Sequence, residues 1–179
     1  MPRNLRKVPV RLILAASLAL AAGIGAHSDT YDAWGTQKSD VLASMAAGSG
    51  YREFAPSGDP SYQNVIMNYI LTINKELSGS ITIVKVSSRP EKDLLFINGK
   101  LYSVTENYGN MSREALEGLV RELSAGYGEP VQQADSSLTT YTFTTGATKA
   151  IVYSYPGGKN ITCRVYYYSA SLFKMLMSE

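Results

Sequence analysis

Three carboxylates near the ends of two apolar runs are the residues whose type could support acid–base chemistry: Glu91, Asp93 and Glu106. A facing pair of carboxylates is sufficient for glycoside hydrolysis. The alternative is that all three are solvated residues at turns. The only histidine, His27, lies in the N-terminal segment, so the rest of the chain has no base or ligand for histidine-dependent catalysis or zinc binding. We therefore predict no enzyme activity, no catalytic residue, no metal site and no cofactor.

The single cysteine, Cys163, cannot form an intrachain disulfide. It lies in a strand-forming run, ITCRVYYY at 161–168, and alternates onto one face of that strand. A buried thiol is inert, because an apolar environment disfavours the reactive thiolate. We therefore predict a structural cysteine rather than a nucleophile.

The opposite face of the same strand carries Arg164, Tyr166 and Tyr168. Tyrosine and arginine are enriched among the residues that dominate binding at protein interfaces. These three residues are the candidate interaction site if they form an exposed strip. The alternative is that the other half of the fold covers them, or that a short C-terminal helix beginning near Leu172 does so.

A hairpin is the best-specified local element of the sequence. Asn-Gly at 98–99 is the strongest signal for a two-residue turn, because both positions need positive φ. Such a turn pairs Phe96 with Leu101 and Leu95 with Tyr102. One strand face then holds Leu95, Ile97, Tyr102 and Val104. Both faces of the hairpin are apolar, so we expect it to be covered on both sides.

One amphipathic helix is predicted between Ser112 and Pro130. Ser112 is a good N-cap, and Gly126 and Gly128 supply C-terminal caps. The apolar stripe of this helix consists of Ala115, Leu116, Leu119, Val120 and Leu123. Gly118 costs roughly 1 kcal/mol relative to alanine inside a helix, and we interpret it as a site of close helix–sheet packing.

The remaining pattern predicts an α+β fold, a mainly antiparallel sheet with one long and one or two short helices packed on it. A short helix is predicted at 36–45, capped by Thr36 or Ser39. Turns or loops are predicted at 56–60 and 106–110. Further strands are predicted over residues 65–71, 79–86, 138–143, 149–155 and 161–168. The order of helix, strands, helix and strands indicates a possible tandem helix–meander repeat, with halves at 32–108 and 109–179.

Residues 1–28 have the pattern of a secretory signal peptide. Four basic residues precede an apolar run at 12–26, which is short for a membrane span. Cleavage would leave a single domain, 29–179, that is periplasmic or secreted and not inserted in a membrane. The alternative is an uncleaved segment that anchors the chain in the inner membrane. Residues 29–179 carry 13 basic and 15 acidic residues, so no basic excess predicts a nucleic-acid partner.

Three short motifs resemble those of exported bacterial helix-then-β-meander domains. WGTQKSDV at 34–41 is similar to their helix opening, FINGKLY at 96–102 to their hairpin, and LSAGYGEP at 123–130 to their helix end. The layout is also similar to the folds of β-lactamase inhibitor protein and of small outer-membrane-assembly proteins. The resemblance implies an interaction module rather than an enzyme, and it transfers no functional residue. The lipid-carrying cysteine that is common in the assembly family is absent.

The predicted function follows from these exclusions and from the resemblance. We predict that the chain is a non-catalytic exported module that binds another envelope protein through its sheet or its tyrosine-rich face. The alternative is a carrier of a small molecule or lipid, with a pocket between helix and sheet. A filled core with exposed tyrosines would favour the module. A large apolar cavity beneath Leu116, Leu119 and Leu123 would favour the carrier.

Overall fold

Eight antiparallel strands form one sheet in the computed structural model, which describes residues 34–45, 50–55, 65–73 and 75–176. The strands are β1 (Tyr51–Phe54), β2 (Ile81–Val86), β3 (Glu91–Ile97), β4 (Lys100–Met111), β5 (Val131–Ala134), β6 (Thr139–Thr144), β7 (Thr148–Gly157) and β8 (Asn160–Ser169). The helices are α1 (Lys38–Ser44), α2 (Val65–Ile73), α3 (Arg113–Tyr127) and α4 (Ala170–Leu176), with a 3₁₀ helix at Lys75–Gly79. The predicted α+β class with an antiparallel sheet is confirmed.

The strand order β1-β2-β3-β4-β8-β7-β6-β5 divides the sheet into two meanders. Helix α1 precedes strands β1–β4, helix α3 precedes β5–β8, and the last strand of each meander, β4 or β8, pairs with the other in the middle. This is the helix–meander order that the sequence predicts. The predicted division at 108/109 falls inside β4, however, because this strand extends to Met111.

Strand β4 runs without a break through residues 106–110, for which the sequence predicts a loop. Its register against β8 shifts between Asn107 and Gly109, where Gly109 has a φ of 64° and its N–H donates to Asn107 Oδ1 at 3.1 Å. A glycine at positive φ lets a strand bulge without ending it. The stretch rich in turn-forming residues is thus a β-bulge, and the loop prediction is wrong.

The Asn-Gly turn at 98–99 joins β3 to β4, with φ of 51° and 73° at its two residues. The first predicted pair beyond the turn is confirmed. Leu95, however, pairs with Ser103 rather than with the predicted Tyr102, because the register shifts between Leu95 and Phe96. That shift places Val104 on the face opposite Leu95, against the predicted alternation.

Helices cover both faces of the sheet, which confirms that the hairpin is buried on both sides. On the α1–α3 face, the buried cluster includes Val41, Val84, Phe96, Val104, Leu116, Leu119, Leu123, Phe143, Val165 and Tyr167. On the α2–α4 face, it includes Met67, Ile70, Ile81, Ile83, Leu95, Ile97, Ile151, Tyr166, Tyr168 and Leu172. Each cluster draws residues from both meanders, so the two halves share their hydrophobic core.

Three local predictions differ from the structure. Residues 65–71 belong to helix α2 rather than a strand, with Met67 and Ile70 buried three positions apart. A short apolar run does not by itself distinguish a buried helix from a strand. Strands β1 and β5 were not predicted. Both are only four residues long and largely exposed, so their sequences show no alternation of apolar and polar residues. Helix α1 begins after Gln37, whose side chain makes no cap bond, in place of the predicted hydroxyl cap.

Two predictions concern residues that lie outside the described ranges. They are the export signal at 1–28 and the loop at 56–60. Within the described ranges, no helix is both long and apolar enough to cross a membrane.

Candidate protein-interaction surface

The three residues predicted as an interaction site lie together on the α2–α4 face of β8. Arg164 is half-buried, whereas Tyr166 and Tyr168 are only 5% and 8% exposed. Tyr168 belongs to the same buried cluster as Leu172 of α4, so the C-terminal helix covers this part of the strand. Of the two alternatives, the covered one therefore holds for both tyrosines, which form no exposed strip. A role for the three residues in binding stays a prediction.

Four tyrosine rings form a continuous row across β7 and β8, the tyrosine ladder (Tyr155, Tyr153, Tyr166 and Tyr168). Tyr155 stacks on Tyr153 at 6.5 Å between ring centroids. Tyr153 meets Tyr166 edge to face at 5.1 Å, and Tyr166 stacks on Tyr168 at 6.3 Å. Tyr155, at the outer end, is 41% exposed. Such ring contacts add attraction beyond area burial, so the buried rings hold the exposed ones in place.

Polar side chains surround the exposed end of the tyrosine ladder on the same face of the sheet. Arg164 lies opposite Tyr153 of β7 and Asn107 of β4, and Thr162 lies opposite Tyr155. Directly opposite residues of antiparallel strands project from the same face. These five residues, all half-buried or exposed, are termed the Tyr–Arg surface.

Arg164 and burial have opposite effects on the pKa of Tyr166 at the base of the Tyr–Arg surface. Burial raises the pKa of Tyr166 above its ordinary value, although a hydrogen bond from the Arg164 guanidinium opposes that shift. Burial, with the neighbouring Tyr166 and Tyr155, also raises the pKa of Tyr153. Both phenols keep their protons at neutral pH, so they can donate as well as accept hydrogen bonds. No carboxylate of the described residues forms an ion pair with Arg164.

The three candidate carboxylates do not face one another. Strand alternation places Glu91 and Asp93 on the α2–α4 face and Glu106 on the α1–α3 face. Glu91 also forms an exposed ion pair with Lys85 at 3.3 Å. Glu91 and Asp93 project from neighbouring positions of one strand face, and the sheet separates both from Glu106. The facing pair that glycoside hydrolysis requires is therefore not formed by these residues.

Glu106 is fully buried, contrary to its interpretation as a solvated turn residue. Its Oε1 lies 2.9 Å from Lys92 Nζ, and its Oε2 accepts hydrogen bonds from the hydroxyls of Tyr108 at 3.0 Å and Tyr167 at 3.4 Å. Burial and the nearby Glu106 charge raise the pKa of Tyr108. A buried carboxylate needs this degree of pairing to be tolerated. The cluster links β3, β4 and β8 and has a structural role.

Thiol and metal chemistry find no support in the described part of the chain. Cys163 is fully buried on the α1–α3 face, and burial raises its pKa to about 12. The thiol is protonated at neutral pH, and the predicted burial of this cysteine is confirmed. Among the described residues, no group of three histidine, cysteine, aspartate or glutamate side chains could hold a metal ion.

The core beneath helix α3 is filled by side chains. Leu116, Leu119 and Leu123 are 4%, 7% and 0% exposed and pack within one buried cluster. An open groove of about 650 Å³ lies beside the helix, where the C-terminal half of α3 approaches β5 and β6. Its lining includes Arg121 and Glu129. This charged, open groove differs from the apolar cavity that a carrier would need.

Sequence reasoning missed Tyr153 and Tyr155, which supply the aromatic part of the Tyr–Arg surface. The signal for them was present. Both lie in the predicted strand at 149–155, and only the four residues Pro-Gly-Gly-Lys at 156–159 separate that strand from β8. Pairing the two strands as a hairpin would have placed both tyrosines near Arg164.

Comparison with known proteins found no relative. No protein-family model matches the chain, and no curated protein or solved structure matches it significantly. The resemblance to exported helix-then-β-meander domains therefore stays a prediction.

Proposed function

We propose that this chain is a non-catalytic exported module that binds another envelope protein through the Tyr–Arg surface. The tyrosine ladder carries the proposal: its contacting rings run from the region covered by α4 to an open part of the sheet beside Arg164. Aromatic and arginine side chains contribute most of the binding energy at many protein interfaces. Because the inner rings already hold the outer rings, little side-chain freedom is lost on binding.

Export is the second part of the proposal, and the sequence of residues 1–28 supports it. A basic segment followed by a short apolar run is typical of a signal peptide. The partner is then another protein of the periplasm or the cell envelope. If the segment is not cleaved, the same surface acts from an inner-membrane anchor.

The alternative, carriage of a small molecule or lipid, has weaker support. The leucines of α3 pack against other side chains rather than around a cavity. The groove beside α3 is open and has Arg121 and Glu129 in its wall. An apolar ligand would leave these charges without favourable contacts.

A photocrosslinking amino acid in place of Tyr155, in intact cells, tests the proposal. We expect one reproducible protein adduct, identified by mass spectrometry and strongly reduced by the additional substitution Arg164→Glu. The matched control carries the same photocrosslinker in place of Glu117, an exposed residue of α3 on the opposite side of the sheet.

Two results would contradict the proposed function. One is the absence of a protein adduct from position 155 in cells that contain abundant protein. The other is an identical set of adducts from positions 155 and 117, which would indicate chance proximity. A small molecule that is consistently extracted from the purified protein would instead favour the carrier.

A further inference from the structure

We propose that strand β5 pairs antiparallel with β5 of a second copy of this chain, so that the two sheets become one continuous sheet. Strand β5 is the last strand at one edge, and no other described strand pairs with its outer side. The outer backbone groups of an edge strand are a template for another strand. A second copy of β5 supplies the same unpaired groups, and antiparallel pairing satisfies both.

The two edges of the sheet differ in how well their side chains prevent pairing with another sheet. Edge strand β1 carries two charged residues: Glu53 forms an ion pair with Lys38 at 2.7 Å, and the guanidinium of Arg52 lies 5.3 Å from the centre of the Phe54 ring. Charged side chains on an edge disfavour pairing with another sheet. Strand β5 has the sequence VQQA, with no charge and no proline, and all four residues are exposed. Of the two edge strands described, β5 is therefore the one without a charged side chain to disfavour pairing.

Strand β5 is ordered at both ends before any partner binds. Gly128 ends α3 with a φ of 83°, which turns the chain toward β5. In the β5–β6 turn, Asp135 Oδ1 accepts hydrogen bonds from Ser137 N at 2.7 Å, Ser137 Oγ at 2.9 Å and Leu138 N at 2.9 Å. A strand that is already in its bound conformation loses little entropy when it pairs.

The charges beside β5 are arranged to complement a second copy. Glu129 lies just before Val131, at the start of the strand, and Arg121 lies six residues before the end of α3. The connection between α3 and β5 is short, so the helix runs back along the strand. Six helical residues span about 9 Å, close to the roughly 10 Å length of a four-residue strand. Arg121 therefore lies toward the Ala134 end and Glu129 toward the Val131 end.

A two-fold axis perpendicular to the sheet brings Arg121 of each copy near Glu129 of the other. The two residues line the same groove, and within the described ranges neither forms an ion pair. Self-complementarity of this kind is what a two-fold interface requires. The same axis keeps the sheet faces aligned, so it passes between Gln132 and Gln132 of the second copy, or between the two copies of Gln133. The side-chain amide of the glutamine nearest the axis then lies beside the same amide of the second copy, and the two can hydrogen-bond to each other.

The pairing would present two Tyr–Arg surfaces on one side of the joined sheet, a consequence that rests on the proposed function although the pairing itself does not. From β7 of one copy to β7 of the other there are five strand spacings, or about 24 Å. A partner with two suitably spaced sites would then bind more tightly than a partner with one site.

Sedimentation velocity of the purified protein over a wide concentration range tests the pairing. We expect a reversible dimer. Arg121→Glu alone or Glu129→Arg alone should weaken dimerisation roughly tenfold or more, because each places like charges together at two symmetric positions. An equimolar mixture of these two variants should recover the dimer, since both contacts then join opposite charges. Arg113→Glu, on the far end of the same helix, is the matched control and should dimerise normally.

A second variant tests the strand itself. Gln133→Lys puts a charge on the edge without removing a backbone donor, and it should also give a monomer. Circular dichroism should show that every variant remains folded. A wild-type chain that stays monomeric at high concentration overturns the proposal, and if a photocrosslinker at Gln133 then captures a different protein, that protein is the partner of the edge. A dimer that survives these substitutions, or charge-reversed variants that fail to associate when mixed, overturns it as well.

Discussion

The buried carboxylate of Glu106 bridges three strands. Its oxygens are shared by Lys92 of β3, Tyr108 of β4 and Tyr167 of β8. Burying these charges costs free energy, and their mutual attraction offsets that cost only when the geometry is good and the oxygens are hydrogen-bonded. We therefore expect that removing the charge of Lys92 alone lowers the free energy of unfolding far more than removing the charges of Lys92 and Glu106 together.

Lys92→Met should lower the free energy of unfolding by about 3–5 kcal/mol, because it removes the cation that pairs with the buried Glu106 carboxylate at 2.9 Å. Adding Glu106→Gln should recover part of the loss, and urea unfolding measures both. The control Lys85→Met breaks the exposed pair with Glu91 and should cost less than about 1 kcal/mol. Equal losses for Lys92→Met and Lys85→Met would contradict the assignment of a structural role to Glu106.

The buried tyrosines set an alkaline limit to stability. Burial raises the pKa of Tyr108, Tyr153, Tyr166 and Tyr168 above the value of about 10 in an unfolded chain. A raised pKa contributes stability that is complete below the unfolded value and is lost as pH rises above it. The free energy of unfolding should therefore fall above a pH of about 10. Tyrosinate absorbance should show some phenols ionising only as the chain unfolds; uniform ionisation of all phenols in the folded chain would contradict this.

At the scale of single elements, helix α3 follows its sequence signals most closely. Ser112 Oγ accepts a hydrogen bond from Ala115 N at 3.2 Å, as expected of an N-cap. Gly128 is the C-terminal cap, whereas Gly126 lies inside the helix. The interpretation of Gly118 as a site of close packing is wrong. A methyl group added there would meet only the end of the Arg121 side chain, at 4.0 Å.

Gly118→Ala should therefore raise the free energy of unfolding by roughly 0.5–1 kcal/mol, because alanine has the higher helix propensity and the site has room for it. Thermal or urea unfolding measures the gain. Gly128→Ala is the matched control and should destabilise the protein, since φ at this position is 83°. Loss of stability in Gly118→Ala would show that the helix approaches a neighbour more closely than the structure indicates.

At the scale of the whole molecule, the two meanders are joined by more than the pairing of β4 with β8. Both hydrophobic clusters contain residues from each meander. Trp34, which precedes α1, donates a hydrogen bond from Nε1 to Thr148 Oγ1 of β7 at 2.8 Å. The repeat in topology is thus not matched by two separate hydrophobic cores.

We expect one cooperative unfolding transition for the described fold. Fluorescence of Trp34, the single tryptophan, reports on the contact between the meanders, and far-ultraviolet circular dichroism reports on the sheet. The two probes should give coincident urea curves. Thr148→Val should shift both curves together to lower urea. Separate transitions for the two probes would mean that the halves unfold independently.

The sequence by itself determined the features that depend on a few neighbouring residues. The turn at 98–99, the cap at Ser112 and the strand that carries Arg164 follow from local backbone preferences and side-chain alternation. Local rules gave wrong predictions where the same sequence pattern is compatible with two different local structures. The apolar run at 65–71 fits a helix or a strand, and Gly109 fits a loop or a bulge.

Only the tertiary structure decided which strands pair and which faces are covered. The pairing of β4 with β8 joins residues that are far apart in the chain, and it sends Glu106 into the core while Asp93 projects from the other face. Placement of α4 over β8 buries Tyr168 and leaves Tyr155 exposed. These outcomes depend on which apolar surfaces bury one another most completely, a property of the whole chain that no local pattern contains.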